Sequence, residues 1–217
     1  MGFAAEMLKP TEAAMVARVT LRDVNRAIDE HILPEGFFSL EDGRRVAATA
    51  CTLISFYVHS AKRLTSEERL FAIREVGARL HRLHARALAS LVDEDWTVRD
   101  EFLTIDLAPF VRRTTEQMDR LGAAREMVVC DPEILGGAPI IRGTRVPVHD
   151  IAASIASGLA VERILAAYPS LDEKKVELAV IYAEANPARG RPRSSDALPE
   201  SAVVITDRSV PRRRAAG

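Results

Sequence analysis

Apolar and polar residues follow a helical period over much of this chain. Between Thr11 and Pro34, Ala13, Ala14, Val16, Ala17 and Val19 make one short apolar stripe. Val24, Ile28 and Ile32 make a second, after a turn of roughly three residues. Thr20 and Asp23 have the spacing of a capping box, which starts the second helix directly after the turn. In FFSLEDGRRVA, Asp42-Gly43 stands between a short apolar run and Arg44-Arg45-Val46, the signal of a hairpin. Thr65 and Glu68 start a longer helix, where Ile73, Val76, Leu80, Leu83 and Ala87 recur by threes and fours with Arg74, Glu75, Arg79 and Arg82 between them. That stripe packs against a domain or against a second copy of itself. Glu101 to Leu107 reads as a strand with Leu103, Ile105 and Leu107 on one face. Pro109 to Leu121 reads as a helix with proline in its first turn, and Glu126 to Cys130 as a second strand.

Past Asp131-Pro132 the pattern shortens. Gly136-Gly137 and Gly143 permit tight turns, Ile140-Ile141 and Val146 to Val148 are extended pieces, and Pro139 and Pro147 limit their growth. Three helices follow: one lined by Ile151, Ile155 and Leu159 and ended by Gly158, one by Ile164 and Leu165 that Pro169 cannot continue, and a third that Ser170 and Glu173 cap. In the third, Val176, Ala179, Val180 and Ala183 fall at helical spacing. After Asn186-Pro187 the composition turns to Arg, Ser, Pro and small residues with no helical period, so residues 188–217 are expected to be a disordered tail.

Composition narrows the function classes. The chain holds 30 Lys and Arg against 31 Asp and Glu, so affinity for a polyanion must come from a local patch. Cys51 and Cys130 lie far apart in apolar stretches, which argues against a disulfide framework or cysteine metal site and fits a reducing cytoplasm. No leader pattern or bilayer-length apolar run is present, so a cytoplasmic location without membrane contact is expected. His81 and His84 share a helix side, but no Cys, His or paired-carboxylate motif accompanies them. His59 and His149 stand alone, and no nucleophile elbow, phosphate-cradling loop or zinc-protease motif occurs. No metal, cofactor or catalytic activity is expected.

The chemistry that stands out is cationic and local. The second helix of the Thr11 to Pro34 pair turns Arg22, Asn25, Arg26 and Asp29 outward. Asn and Arg are the side chains that read adenine and guanine edges in the major groove, and Arg also grips phosphate. The hairpin that follows adds Arg44 and Arg45. The stretch resembles the winged helix-turn-helix of the excisionase and MerR class, which implies Thr20, Arg22, Asn25, Arg26, Arg44 and Arg45 as DNA contacts. An ordinary helical packing unit explains the apolar residues equally well, and Asp29, Glu30 and Glu35 dilute the positive face.

From Asp131 onward the string DPEILGGAPIIRGTRVPV with the distant YPSL resembles, over about a quarter of the chain, the family catalogued as domain of unknown function 433. Asp131, Pro132, Gly136, Gly137, Pro139, Gly143, Thr144, Arg145, Pro147, Tyr168, Pro169 and Leu171 carry the match. The resemblance implies a small DNA-binding-type domain of a kind often encoded beside PIN-like ribonuclease toxins. Together with the N-terminal unit, it looks like a long VapB-type antitoxin. The family supplies no catalytic residues. Arg142 and Arg145 are open to contact with phosphate, toxin or carboxylate, and Arg145 equally to pinning its own turn.

The tail carries Arg208, Arg212, Arg213 and Arg214 beside the β-prone island Val203, Val204 and Ile205, a combination suited to adding a strand to a partner's sheet and pairing with an acidic nuclease site. The expected architecture is α+β and mainly helical, with two helix-turn-helix-like domains joined by a central αβ region and a disordered C-terminal tail. The winged helix-turn-helix occupies residues 8–62, a central dimerisation region 63–125, the signature domain 126–187 and the basic toxin-binding tail 188–217. The expected partners are operator DNA, a PIN-like ribonuclease toxin and a second copy of the chain. The alternative reading is a MerR-like, ligand-responsive transcription regulator without a toxin.

Overall fold

In this computed structural model, residues 6–41, 43–82 and 94–188 are described. Asp42, Leu83, His84, Ala87 and all seven expected toxin-binding residues of the tail lie outside them. The fold is α+β and mainly helical, and the described residues up to Pro187 pack as one compact unit.

The chain enters through β1 (Met7–Leu8), a strand too short to show a sequence period, and then forms α1 (Pro10–Ala17) and α2 (Leu21–Asp29). Pro10 opens α1 where its missing N–H costs nothing, and Glu12 accepts the Lys9 N–H at 2.8 Å. Arg18 closes the helix in a left-handed conformation at φ 55°. Thr20 and Asp23 form the expected reciprocal cap of α2: Thr20 N–H donates to the Asp23 carboxylate at 3.0 Å, and Asp23 N–H to the Thr20 hydroxyl at 3.1 Å. The hairpin is β2 (Phe38–Ser39) and β3 (Arg45–Ala47). Its strand β3 is the middle of a three-stranded antiparallel sheet, pairing Val46 with both Phe38 and Leu8.

At the centre runs α3 (Ala50–His59), apolar on nearly every side, with every residue from Ala50 to Tyr57 buried. A helix without a polar face must be surrounded, and α1, α2, β3, α4 and α5 pack on it. Helix α4 (Ser66–Arg82) answers the question of the long apolar stripe: Ile73 and Val76 are fully buried and Leu80 nearly so, inside the chain's own core. At Gly77 of that helix a Cβ would lie 2.9 Å from Pro34 Cγ, so the close approach of α4 to the Leu33-Pro34 bend needs glycine.

The strand expected over Glu101 to Leu107 is half of a hairpin, β4 (Thr97–Asp100) with β5 (Leu103–Asp106), registered Val98 to Ile105. Trp96, Val98, Ile105 and Leu107 face the core. Helix α5 (Ala108–Met127) overruns the expected end at Leu121 because Leu121 and Ala124 are both fully buried on one continuing face. The second expected strand therefore shrinks to β6 (Val128–Cys130), paired with β7 (Pro139–Ile141) across a 3-10 turn at Leu135–Gly137.

Three helices complete the unit: α6 (Val148–Ala156), α7 (Val161–Ala167) and α8 (Glu173–Ala185). The cap of α8 is Asp172, which accepts Lys175 N–H at 2.7 Å, rather than Ser170. Leu171 is buried in the local core, and the extended Asp172 that follows moves the helix start two residues along. Val176 and Ala179 on α8 pack with Ile141, Val148, Ile151 and Ile164, while Leu178 and Ile181 pack with Ala124 on α5. The helix thereby joins the signature segment to the N-terminal half. Next to this junction Arg125 reaches both Glu6 and the almost fully buried Glu12, the latter at 3.0 Å, tying α5 to β1 and α1.

The cap of α4 carries a pH-dependent term. Thr65 gives its N–H and hydroxyl to Glu68, at 2.7 and 2.9 Å, and these bonds hold the Glu68 carboxyl below its ordinary 4.5. A depressed folded pKa contributes stability that is present above the unfolded value and lost as pH falls through the folded one. Thr65→Ala is accordingly expected to return the Glu68 pKa toward 4.5 in an NMR titration. Its destabilisation should diminish in strong acid to what the lost bond from Glu68 N–H to the hydroxyl contributes, and a loss that persists undiminished there contradicts this account.

Candidate nucleic-acid interface

The exposed side of α2 and Arg44, which precedes β3, lie together. Arg22 and Arg26 are exposed, Asn25 is half-buried, and Val24, Ala27 and Ile28 on the opposite side anchor the helix in the core. Side chains on one helix face recur at three and four residues, so Arg22, Asn25, Arg26 and Asp29 form one surface.

What the pattern did not show is that this surface is already cross-linked. Arg44 donates through Nη1 to Asn25 Oδ1 at 3.1 Å and to Asp29 Oδ2 at 3.2 Å, and through Nη2 to Asp29 Oδ1 at 2.8 Å. The hairpin is thus clamped onto α2 by a forked guanidinium–carboxylate pair. Arg26, whose cation suits the last turn of the helix, pairs with Glu30 one turn on at 2.9 Å. Arg22 and Arg45 have no side-chain partner among the described residues.

These pairs change the expected roles. Thr20 spends its hydroxyl on the cap, donating to Asp23 Oδ2 at 2.6 Å while accepting Asp23 N–H, so its first task is to start α2. Asn25 has one amide-oxygen site taken by Arg44, and its two N–H donors have no partner among the described residues. Both ion pairs are highly exposed, with side chains 40 to 57% accessible, and such pairs contribute only about 0 to 1 kcal/mol. Exchanging their carboxylates for phosphates is therefore inexpensive, and the clamp orients Arg44 without locking it away.

A second cationic loop lies in the signature segment. Thr144 hydroxyl donates to Ile141 O at 2.7 Å and accepts Val146 N–H at 3.1 Å, with Gly143 in a left-handed conformation at φ 76°. The guanidinium that pins this region is Arg142, whose Nε donates to Glu126 O at 2.9 Å. Arg145 is exposed and has no side-chain partner among the described residues, so of its two open roles the one that pins its own turn has no bond behind it here. The Gly136-Gly137 turn is left-handed at both residues, and Asp131 caps the preceding bend by accepting Glu133 N–H at 2.9 Å.

Among the described residues no group of His, Cys, Asp and Glu is placed to hold a metal, and no helix is long and apolar enough to cross a membrane. Trp96 and Tyr57 are buried core residues, and Arg69 lies 4.2 Å over the Tyr57 ring.

Residues 128–183 match the model of a family described as "Protein of unknown function (DUF433)". The chain is also similar to the "Uncharacterized protein y4eO" of Sinorhizobium fredii, 62% identical over 213 residues, which is 98% of this chain and 96% of that protein. No solved structure matches the chain. With that identity sustained over nearly the whole length of both proteins, this chain belongs to the family of y4eO and carries a DUF433 segment at residues 128–183.

Proposed function

We propose that this protein is a DNA-binding antitoxin that reads an operator with α2 and its adjoining hairpin and neutralises a PIN-like ribonuclease toxin with its basic tail. The observation that carries the DNA half is the clamp of Arg44 on Asn25 and Asp29, which adds Arg44 to the surface of α2 that Arg22, Asn25 and Arg26 share. Its N–H donors suit guanine or thymine acceptors in a major groove, and its arginines suit the flanking phosphates. The toxin half is supported by the resemblance of residues 131–171 to a family implied to act beside such toxins, and by the arginine content of residues 188–217.

The test of the DNA half is a gel-shift titration at fixed salt against the chain's own promoter region. Arg22→Ala and Asn25→Ala are each expected to lose about 1 to 3 kcal/mol of specific affinity without unfolding, because neither side chain is part of the buried core. Asp29→Asn is expected to strengthen non-specific binding by removing the carboxylate that competes with phosphate for Arg44. Unchanged affinity in all three removes α2 as the reading helix.

The toxin half is tested by deleting residues 188–217 and assaying growth rescue beside the gel shift. The segment lacks an apolar period that would offset its ordering entropy, so its removal is expected to leave the folded unit and DNA binding intact while abolishing neutralisation. Rescue by the truncated protein moves the toxin contact elsewhere.

A further inference from the structure

Between α1, α5, α6, α7 and α8 lies an open cleft of about 740 Å³, within the usual size range of small-ligand sites. We infer that this cleft binds a small organic cation with an apolar body. The inference stands apart from the proposed DNA and toxin contacts, since none of those residues lines the cleft.

Three features of the cleft lead there. Part of its wall is apolar, with Met15 and Val19 on one side and Ile155, Val161 and Val180 on the other. Within it lies Gln117, which is only 7% exposed and whose amide has no hydrogen-bond partner among the described residues. Gln117 is among the residues lining the cleft, and its amide offers an acceptor and two donors to a polar group of a bound molecule.

The third feature selects the sign of the ligand. Glu177 is matched by Arg120, but Glu162, Glu173 and Glu184 line the same cleft with no cation paired to them among the described residues, and only Arg18 opposes them. An anion entering this cleft meets three unmatched carboxylates. An ammonium gains from all of them, while its apolar body covers the valine and isoleucine walls and a hydrogen-bonding group reaches Gln117.

Arg18 and Val19, which line the cleft, are also the turn that leads into α2. A bound ligand therefore touches the residues that set how α2 leaves α1.

The experiment is isothermal titration calorimetry on the full-length protein with 1-naphthylmethylammonium, and with 1-naphthylacetate as the probe of equal ring and opposite charge. The ammonium is expected to bind saturably at one site, with the carboxylate at least about tenfold weaker. Val180→Trp, which fills the cleft, and the surface double variant Glu173→Gln/Glu184→Gln are each expected to weaken the ammonium by about tenfold or more with unchanged far-UV circular dichroism. If Val180→Trp does not fold, the double variant decides. Absence of saturable binding, equal binding of the two probes, or ammonium affinity indifferent to the carboxylate substitutions overturns the inference.

Discussion

Val76→Asp is expected to unfold the protein at 25 °C rather than dissociate a dimer. Val76 is fully inaccessible in α4, in a core shared with Phe37, Ile73 and Leu80. The substitution forfeits about 1.5 to 3 kcal/mol of side-chain burial. It also places a carboxyl where neither water nor a cation reaches it, which costs several kcal/mol more even when the group protonates. The sum consumes most of the roughly 5 to 15 kcal/mol by which a domain is ordinarily stable. Val76→Ala serves as the graded control, with an expected loss of about 2 kcal/mol from the smaller cavity. Circular dichroism and light scattering decide between the two readings of the stripe. A folded Val76→Asp monomer with an unchanged melting temperature would return the stripe to an interface between copies.

The second large effect concerns cooperativity. Trp96 is the chain's one tryptophan and is buried in the N-terminal core, whereas Ile181 lies on α8 in the signature segment and packs with Ala124, Leu178 and partly buried Met15. If α8 fastens the two halves, damage at Ile181 is read out at Trp96. Ile181→Asp is expected to lower the stability reported by Trp96 fluorescence in urea by about 3 to 5 kcal/mol, the range for a lost large apolar side chain with an added buried polar group. The fluorescence and circular dichroism transitions are expected to coincide, as in a two-state unit. A Trp96 transition that stays in place while helical signal is lost earlier shows two independently folding halves, divided near residue 126 as the sequence boundary suggested.

The candidate interface was legible in part. Asn25, Arg22 and Arg26 share a surface because their spacing on a helix dictates it, and a helix period survives without knowledge of the rest of the molecule. The pairing of Arg44 with Asp29 was not legible. It joins residues that the chain separates by a bend containing a left-handed His31 and the Ile32, Leu33 and Phe37 anchors, and its geometry depends on how that bend packs. Gln117 gave no signal at all. A lone glutamine among charged residues on a long helix reads as a solvated position, and its burial arises only because α1 and α8 close over α5.

By itself the sequence determined what depends on neighbours three or four residues apart. The caps at Thr20 and Thr65, the stop of α7 before Pro169, the glycine turns at Gly136-Gly137 and Gly143, and the mainly helical α+β class are of this kind, since their hydrogen bonds and steric limits close within one turn. Tertiary structure alone decided which apolar surface meets which. Helix α3 is apolar almost all round and α8 is apolar on two sides, so their patterns require burial without naming a partner. The same holds for β1, which two residues cannot signal and which exists because β3 offers it an edge, and for the overrun of α5, which lasts as long as Leu121 and Ala124 find a surface to cover. Hydrophobic attraction has no direction, and only the assembled shape of the other elements supplies one.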